Sequence, residues 1–266
     1  MFRYVSGLAT AILLAAGAAA QTISPAARSD LAPTGKLRIG VHYANVFLVT
    51  RDPESGELRG VAVDIARELG RRVGVPVEFI AYANATRLTR AAASGEWDVS
   101  FQAAEASRAG EITFTAAFAE IEATYLVPPG SSVRKIEDVD RSGVRVAVPG
   151  KSALDQILTR TLKNAQLVRA QGFDGAVHTF VSESLDALAG LRPRLIIDAE
   201  SLPGSRVLED RFAALSQAIG TPREREEAAR YLREFVEDAK ASGLITKAIE
   251  KAGIRGMSVA PLVSAR

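Results

Sequence analysis

From Lys36 onward the chain alternates short aliphatic runs with longer runs of helical periodicity, and this alternation constrains the fold more than any other feature. Leu37, Ile39 and Val41 alternate as a strand, and Asp52-Pro53-Glu54-Ser55-Gly56 forms a turn. A helix is expected from about Ala62, with Ile65, Leu69 and Val73 four apart on one face. Val75 to Ala81 reads as a strand, Thr86 to Ser94 as a helix and Trp97 to Phe101 as a strand. This order predicts a parallel sheet, whose ligands bind at the carboxyl ends of the strands. The loops after His42, Tyr82 and Phe101 then share one neighbourhood.

A second unit of the same kind begins after Pro128-Pro129-Gly130. Val144 to Val148 reads as a strand, and Ser152 caps a helix through about Lys163. Gln166 to Arg169 is a strand, Asp174 opens a helix through Val181, and Leu185 to Ala189 is a strand. Ala213 to Ile219 is a further strand. Thr221-Pro222-Arg223-Glu224 has the pattern of a capping box with proline at the first helical position. The helix expected there turns Ala228, Tyr231, Leu232, Phe235 and Val236 inward and stops near Gly243. A last helix, Leu244 to Ala252, precedes a tail expected to fray after Gly256. Two α/β units of roughly 90 residues each lie in the usual size range of domains and imply a two-lobed molecule with a cleft.

The first twenty residues stand apart. Arg3, an apolar stretch from Val5 through Ala15, and Ala18-Ala19-Ala20 before Gln21 have the form of a cleaved secretory signal peptide. The stretch is too short to cross a bilayer comfortably, and Gly7 and Gly17 interrupt it. No cysteine follows it, so the mature chain is expected free in the periplasm and not lipidated. Ser24 to Thr34, with Pro25 and Pro33, reads as a loose leader.

Composition narrows the chemistry. The balance of 33 Lys+Arg against 31 Asp+Glu leaves +2, which is no basic field for nucleic acid. Zero cysteines exclude disulfides, thiolate zinc sites and cysteine nucleophiles. With only His42 and His178, neither a histidine-rich metal site nor a conventional triad is expected, and no cofactor is implied.

Five segments carry a resemblance: residues 35–41 (Gly-Lys-Leu-Arg-Ile-Gly-Val), 56–69 (Gly-Glu-Leu-Arg-Gly-Val-Ala-Val-Asp-Ile-Ala-Arg-Glu-Leu), 95–99 (Gly-Glu-Trp-Asp-Val), 108–115 (Arg-Ala-Gly-Glu-Ile-Thr-Phe-Thr) and 144–148 (Val-Arg-Val-Ala-Val). As an ordered set they resemble the family 3 extracellular solute-binding proteins, periplasmic receptors of ABC importers for polar amino acids and related molecules. The resemblance implies a type II periplasmic-binding-protein fold: two α/β lobes, two crossing segments and a central ligand cleft. It places the first lobe at residues 36–126 plus the helices of 221–256, the second at 127–220, a leader at 21–35 and a tail at 257–266. It also implies a monomer that hands a small carboxylate-bearing solute to an inner-membrane permease.

The resemblance singles out Arg108, where relatives hold the ligand's carboxylate. Its guanidinium is a rigid fork matched to that group, and such pairing supplies roughly 1.5–3 kcal/mol. A micromolar ligand needs about 8 kcal/mol, so other contacts must contribute. As one of many bases, Arg108 has an alternative reading as a solvated surface residue. Ser152, after Pro149-Gly150, stands at a helix N-terminus that favours an anion, or is simply a cap. Relatives carry glycine before this hydroxyl; here Lys151 replaces it. Tyr43, Asn45, Phe47 and Asn84 fall where relatives place cleft walls, or are turn residues. Phe101 and Gln102 replace small hydroxyl residues and would make the wall bulkier.

One departure bears on the ligand. Relatives bind the α-ammonium through an aspartate five residues after an Asp-Ala pair. Five residues after Asp186 stands Leu191, followed by Arg192. Asp198 is the nearest carboxylate, and a solvated helical position is the simpler expectation for it. Were Arg192 to face the cleft with Arg108, the two cations would suit a dianion or a carboxylate without an amine. Two other functions remain open: an enzyme of dehydratase type, with Glu105 as the suggestive carboxylate, and a non-transport periplasmic sensor or partner protein.

Overall fold

The structure is a computed structural model that describes residues 23–43 and 45–263; the expected signal segment lies outside the described residues. In chain order the elements are α1 (Pro25–Leu31), β1 (Leu37–His42), β2 (Thr50–Arg51), β3 (Leu58–Arg59), α2 (Val61–Val73), β4 (Val77–Tyr82), α3 (Ala85–Ala93), β5 (Val99–Ala103) and β6 (Ile112–Val127). There follow β7 (Arg145–Pro149), α4 (Ala153–Thr161), β8 (Gln166–Ala170), α5 (Gly172–Ser182), β9 (Ala187–Leu191), α6 (Arg192–Glu200), β10 (Arg206–Val207), β11 (Ala213–Pro222), α7 (Glu226–Ala241), α8 (Leu244–Ala252) and β12 (Met257–Val259). Among the described residues no helix is long and apolar enough to cross a membrane.

The main sheet runs β4-β1-β5-β11-β6-β9-β7-β8. At one end β1 lies between β4 and β5, parallel to both; at the other β7 lies between β8 and β9, again parallel to both. Each set thus keeps its first strand in the middle, the arrangement left by successive strand–helix–strand crossovers. Between the sets, β6 pairs with β11 from Ile112 to Ala123 and with β9 from Ala123 to Leu126. One long strand therefore crosses from the first set to the second, and β11 returns antiparallel to it. The sequence pattern does not announce β6, because alanines at 116, 117 and 119 break its alternation.

The apolar periodicity is spent as expected. Helix α2 buries Val61, Ile65, Leu69 and Val73, and α7 buries Tyr231, Leu232, Phe235 and Val236. One core runs from these helices through Phe101 and Phe118, packed edge to face at 5.8 Å, to Val146 and Ala187 beyond the crossing. Trp97 and Asp98, two residues that carry the family resemblance, hold the first set together. The buried Trp97 indole donates to the Leu88 carbonyl at 2.9 Å. The fully buried Asp98 takes Arg38 at 2.7 Å and Arg225 at 2.5 Å.

Three local expectations fail, and two of the failures are connected. Ser24 to Thr34 is no loose leader: Ser24 accepts the Ala27 amide at 3.1 Å, Pro25 occupies the first turn, and the short helix α1 buries Ala27 and Leu31. Conversely, Thr221-Pro222 starts no helix. Both residues finish β11, opposite Thr113 and Ile112, and the Thr221 hydroxyl donates to the Asp98 carbonyl at 3.0 Å. Helix α7 begins four residues later without a cap of its own. Its free amides, on Glu227 and Ala228, donate to the Asp30 carboxylate at 3.1 and 3.3 Å, so the former "leader" caps the last long helix.

The third failure is the tail. Met257 to Val259 pair with Ile121, Glu120 and Ala119 on β6, and the Ala260 amide donates to the Phe118 carbonyl at 3.1 Å. Lys240, buried on α7, donates to the Pro261 carbonyl at 2.8 Å. An available edge of β6 makes an ordered strand of residues that carry little helical or turn signal of their own.

Candidate functional site

On the first-lobe side, period-two alternation decides which side chains leave the main core. Leu37, Ile39 and Val41 point into it, as do Val99 and Phe101. The opposite face carries Arg38, Gly40 and His42 on β1, and Ser100 and Gln102 on β5. Gly40 pairs with Ser100, so two residues further on His42 and Gln102 stand beside each other at the carboxyl ends of their strands. This face is polar and largely dry. Gln102 is fully buried; its amide donates to Ser100 Oγ at 3.2 Å, and its Oε1 has no partner. His42 is 8% exposed, and its Nδ1 is likewise buried and unpartnered.

Arg108 follows β5 and lies near enough to His42 to act on it through its charge. It ends a 3-10 turn after β5, donates Nη1 to the Ala103 carbonyl at 2.7 Å and pairs with Glu105 at 3.3 Å. Its side chain is mostly buried, so it is not a solvated surface residue. Burial first, and the Arg108 charge second, hold the His42 imidazole down at a pKa of about 4. At neutral pH the carboxyl end of this face therefore presents the Arg108 guanidinium, an uncharged imidazole and an amide. Asn45 is held instead by the crossing strand: its Nδ2 donates to Gln217 Oε1 of β11 at 3.0 Å, and Gln217 stands opposite Ala103 on the other side of β5 from Gln102.

The other wall residues separate. Tyr43 is exposed just past β1, while Phe47 is half-buried against the core. Asn84 caps α3, accepting the Arg87 amide at 3.0 Å. Phe101 is withdrawn from the wall: it lies on the core face of β5 against Phe118, because alternation points it opposite to Gln102.

On the second-lobe side, β7 ends at Pro149, and the chain turns through Gly150 and Lys151 into α4. Lys151 adopts φ 60, the left-handed region that ordinarily favours glycine. The substitution is thus accommodated by keeping the backbone turn a glycine would make. Ser152 caps α4, its Oγ accepting the Asp155 amide at 3.1 Å. Asp155 answers by accepting the Lys151 amide at 2.9 Å, Arg169 at 2.8 Å and the Thr159 hydroxyl at 3.2 Å. Burial pushes the Asp155 carboxyl up, but the Lys151 amide and Arg169 outweigh it and hold it below the usual range. The loop is closed on itself around this carboxylate.

Arg192 does not join Arg108. Its Nε pairs with Glu122 at 2.5 Å, and its terminal nitrogens donate to the carbonyls of Leu208, Glu209 and Asp210. A guanidinium spent in this way at the base of the crossing strands is not available to a ligand, and the two-cation argument for a dianion falls with it. Leu191 ends β9 in the core, opposite Ala123. Asp198 lies on α6 as expected but is buried, accepting Arg194 Nε at 2.8 Å. His42, Gln217 and Asp155 escape sequence reasoning. Only the face alternation of β1 could have flagged His42, since Arg38 and Gly40 precede it on the same side.

Polar groups gathered at strand ends of two parallel sets, with two strands crossing between them, define a two-lobed α/β solute-binding fold. An ancestral amino-acid-binding protein described as a precursor of cyclohexadienyl dehydratase superposes with a TM-score of 0.65 at 21% identity, covering 86% of this chain and 99% of that one. A putative ABC-transporter binding component from Wolinella succinogenes, complexed with lysine, gives 0.67 at 18% identity, covering 82% and 95%. The glutamine-binding protein of Geobacillus stearothermophilus is 24% identical over 194 residues, 71% of this chain and 74% of that protein. Residues 37–253 match the model of the bacterial extracellular solute-binding proteins, family 3, and the chain belongs to that family.

Proposed function

We propose that the protein is the periplasmic receptor of an ABC importer, freed by removal of residues 1–20, which captures a small carboxylate-bearing solute, an amino acid or related organic acid, and acts as a monomer. In this reading residues 36–126 and 221–256 form the first lobe and 127–220 the second. The observation that carries it is Arg108, its side chain mostly buried, held by the Ala103 carbonyl at 2.7 Å and close to the buried His42. Its guanidinium takes the carboxylate; Gln102, Asn45, Tyr43 and Asn84 shape the first wall; Ser152 and the N-terminus of α4 close over the anion when the lobes approach. With Leu191 in the position of the ammonium partner, a free amine contributes less to affinity than in the amino-acid receptors. The solute passes unchanged to an inner-membrane permease.

A thermal-shift panel of L-glutamine, L-lysine, 2-oxo acids and dicarboxylates tests the reading. A ligand at a hundred times its Kd adds about 2.7 kcal/mol of stability. A panel without any shift would remove the receptor reading in favour of a non-transport partner. The likeness to a dehydratase precursor supports a second reading, an enzyme with Glu105 as its acid or base. Incubation of each bound ligand followed by NMR separates the two, since a receptor returns every ligand intact.

A further inference from the structure

The family match ends at residue 253, yet the chain continues as ordered structure. Residues 254–263 leave α8, run along β6 as β12, and end on α7, where Lys240 holds the Pro261 carbonyl and Glu237 accepts the Val263 amide at 3.0 Å. Both ends of this segment belong to the first lobe. Its middle also touches the second. The Gly256 carbonyl accepts the amide of Glu122, just before β6 takes up β9 as partner. A Cβ at Gly256 would lie 2.7 Å from the Arg192 side chain, so the guanidinium stem of the second lobe rests directly on the segment. Arg192 reaches from there to Glu122 on the outgoing strand and to the carbonyls of 208–210, which lead into the returning one. Arg255 adds an exposed contact to Glu200 on α6 at 3.8 Å.

We propose that residues 254–263, clamped beneath Arg192, are a third connection between the lobes, and that Arg192 is the positioning residue that sets the resting angle of the hinge. Two crossing strands alone bend at their few unpaired residues. Here the bend would have to break the Arg192 bonds to Glu122 and to the 208–210 carbonyls or part its stem from Gly256, so one conformation is favoured and the others are thinly populated. The inference concerns the hinge and holds whatever the ligand.

The absence of native cysteine allows a direct test in the full mature chain. Spin labels on Arg90→Cys in α3 and His178→Cys in α5, both exposed, report the distance between lobes by double electron–electron resonance. The distribution is expected to be narrow. In Arg192→Met, which keeps the stem and removes the fork, it should broaden by roughly twofold with circular dichroism unchanged. Gly256→Ala, which displaces the stem, should broaden it less, and a chain ending at Gly253 at least as much as Arg192→Met. A merely structural Arg192 would lower the melting temperature and leave the distribution in place. Superimposable distributions in the folded Arg192→Met and Gly256→Ala proteins would overturn the proposal. Should either variant fail to fold, the distribution of the other decides.

Discussion

The two faces of the candidate site satisfy their polar groups in opposite ways. The second-lobe loop is closed: Ser152, Lys151, Thr159 and Arg169 all converge on Asp155. The first-lobe face is left open, with His42 Nδ1 and Gln102 Oε1 buried and unpartnered beside Arg108. Buried polar atoms without partners cost free energy, so a face that tolerates them keeps hydrogen-bonding capacity in reserve. A self-satisfied loop instead holds its backbone in place. Selection of a ligand should therefore reside in the first face, and the second should supply a rigid surface to close against.

The largest expected effect tests the reserve itself. His42 is held near pKa 4 in the folded protein against an ordinary 6.5. Between those values the unfolded chain takes a proton that the folded chain refuses. Stability is therefore intact above pH 6.5 and falls by about 3 kcal/mol as the pH drops to 4. Urea unfolding at pH 4.5 and 7.5 should show this slope in the native protein and not in His42→Gln; equal slopes would remove the buried imidazole from the account. Next, Arg108→Ala should weaken binding of any ligand found by about ten- to a hundredfold, read by calorimetry, with little change in melting temperature. On the opposite face the pattern should invert. Asp155→Asn should cost about 1–3 kcal/mol of stability and less than tenfold in affinity. If Asp155→Asn harmed binding as much as Arg108→Ala does, the division of labour would be wrong. The smallest effect is Lys151→Gly, which relieves the left-handed lysine and should raise stability by at most about 1 kcal/mol in thermal melting.

How much of this is legible in sequence depends on how far a residue's partner lies along the chain. Helices α2, α4, α7 and α8 and most strands of the two parallel sets are written in their own periodicity, because each buries its apolar residues on one face. Ser24-Pro25 and Thr221-Pro222 show where that ends. Both pairs carry the same helix-start signal, a capping hydroxyl followed by proline. The first starts α1; the second is claimed by β6 and by the Asp98 carbonyl. Nothing local distinguishes them, since the deciding partners lie more than a hundred residues away. The candidate site follows the same rule. Arg108 and Ser152 are visible through motif and cap, whereas His42, Gln217 and Asp155 gain their meaning from neighbouring strands. Arg192 is the sharpest case: next to the expected ligand position in sequence, it is committed to Glu122, seventy residues earlier.

The cap that Asp30 places on α7 spans 197 residues of chain. On a ribosome, or threading through a membrane pore, Asp30 emerges early in the chain and its helix late. The parallel set of β7, β8 and β9, whose strands all lie between Arg145 and Leu191, has its mutual partners encoded well before that moment. The later-encoded set can thus complete its pairing first, while Asp30 has no helix to cap until the final fifth of the polypeptide has arrived.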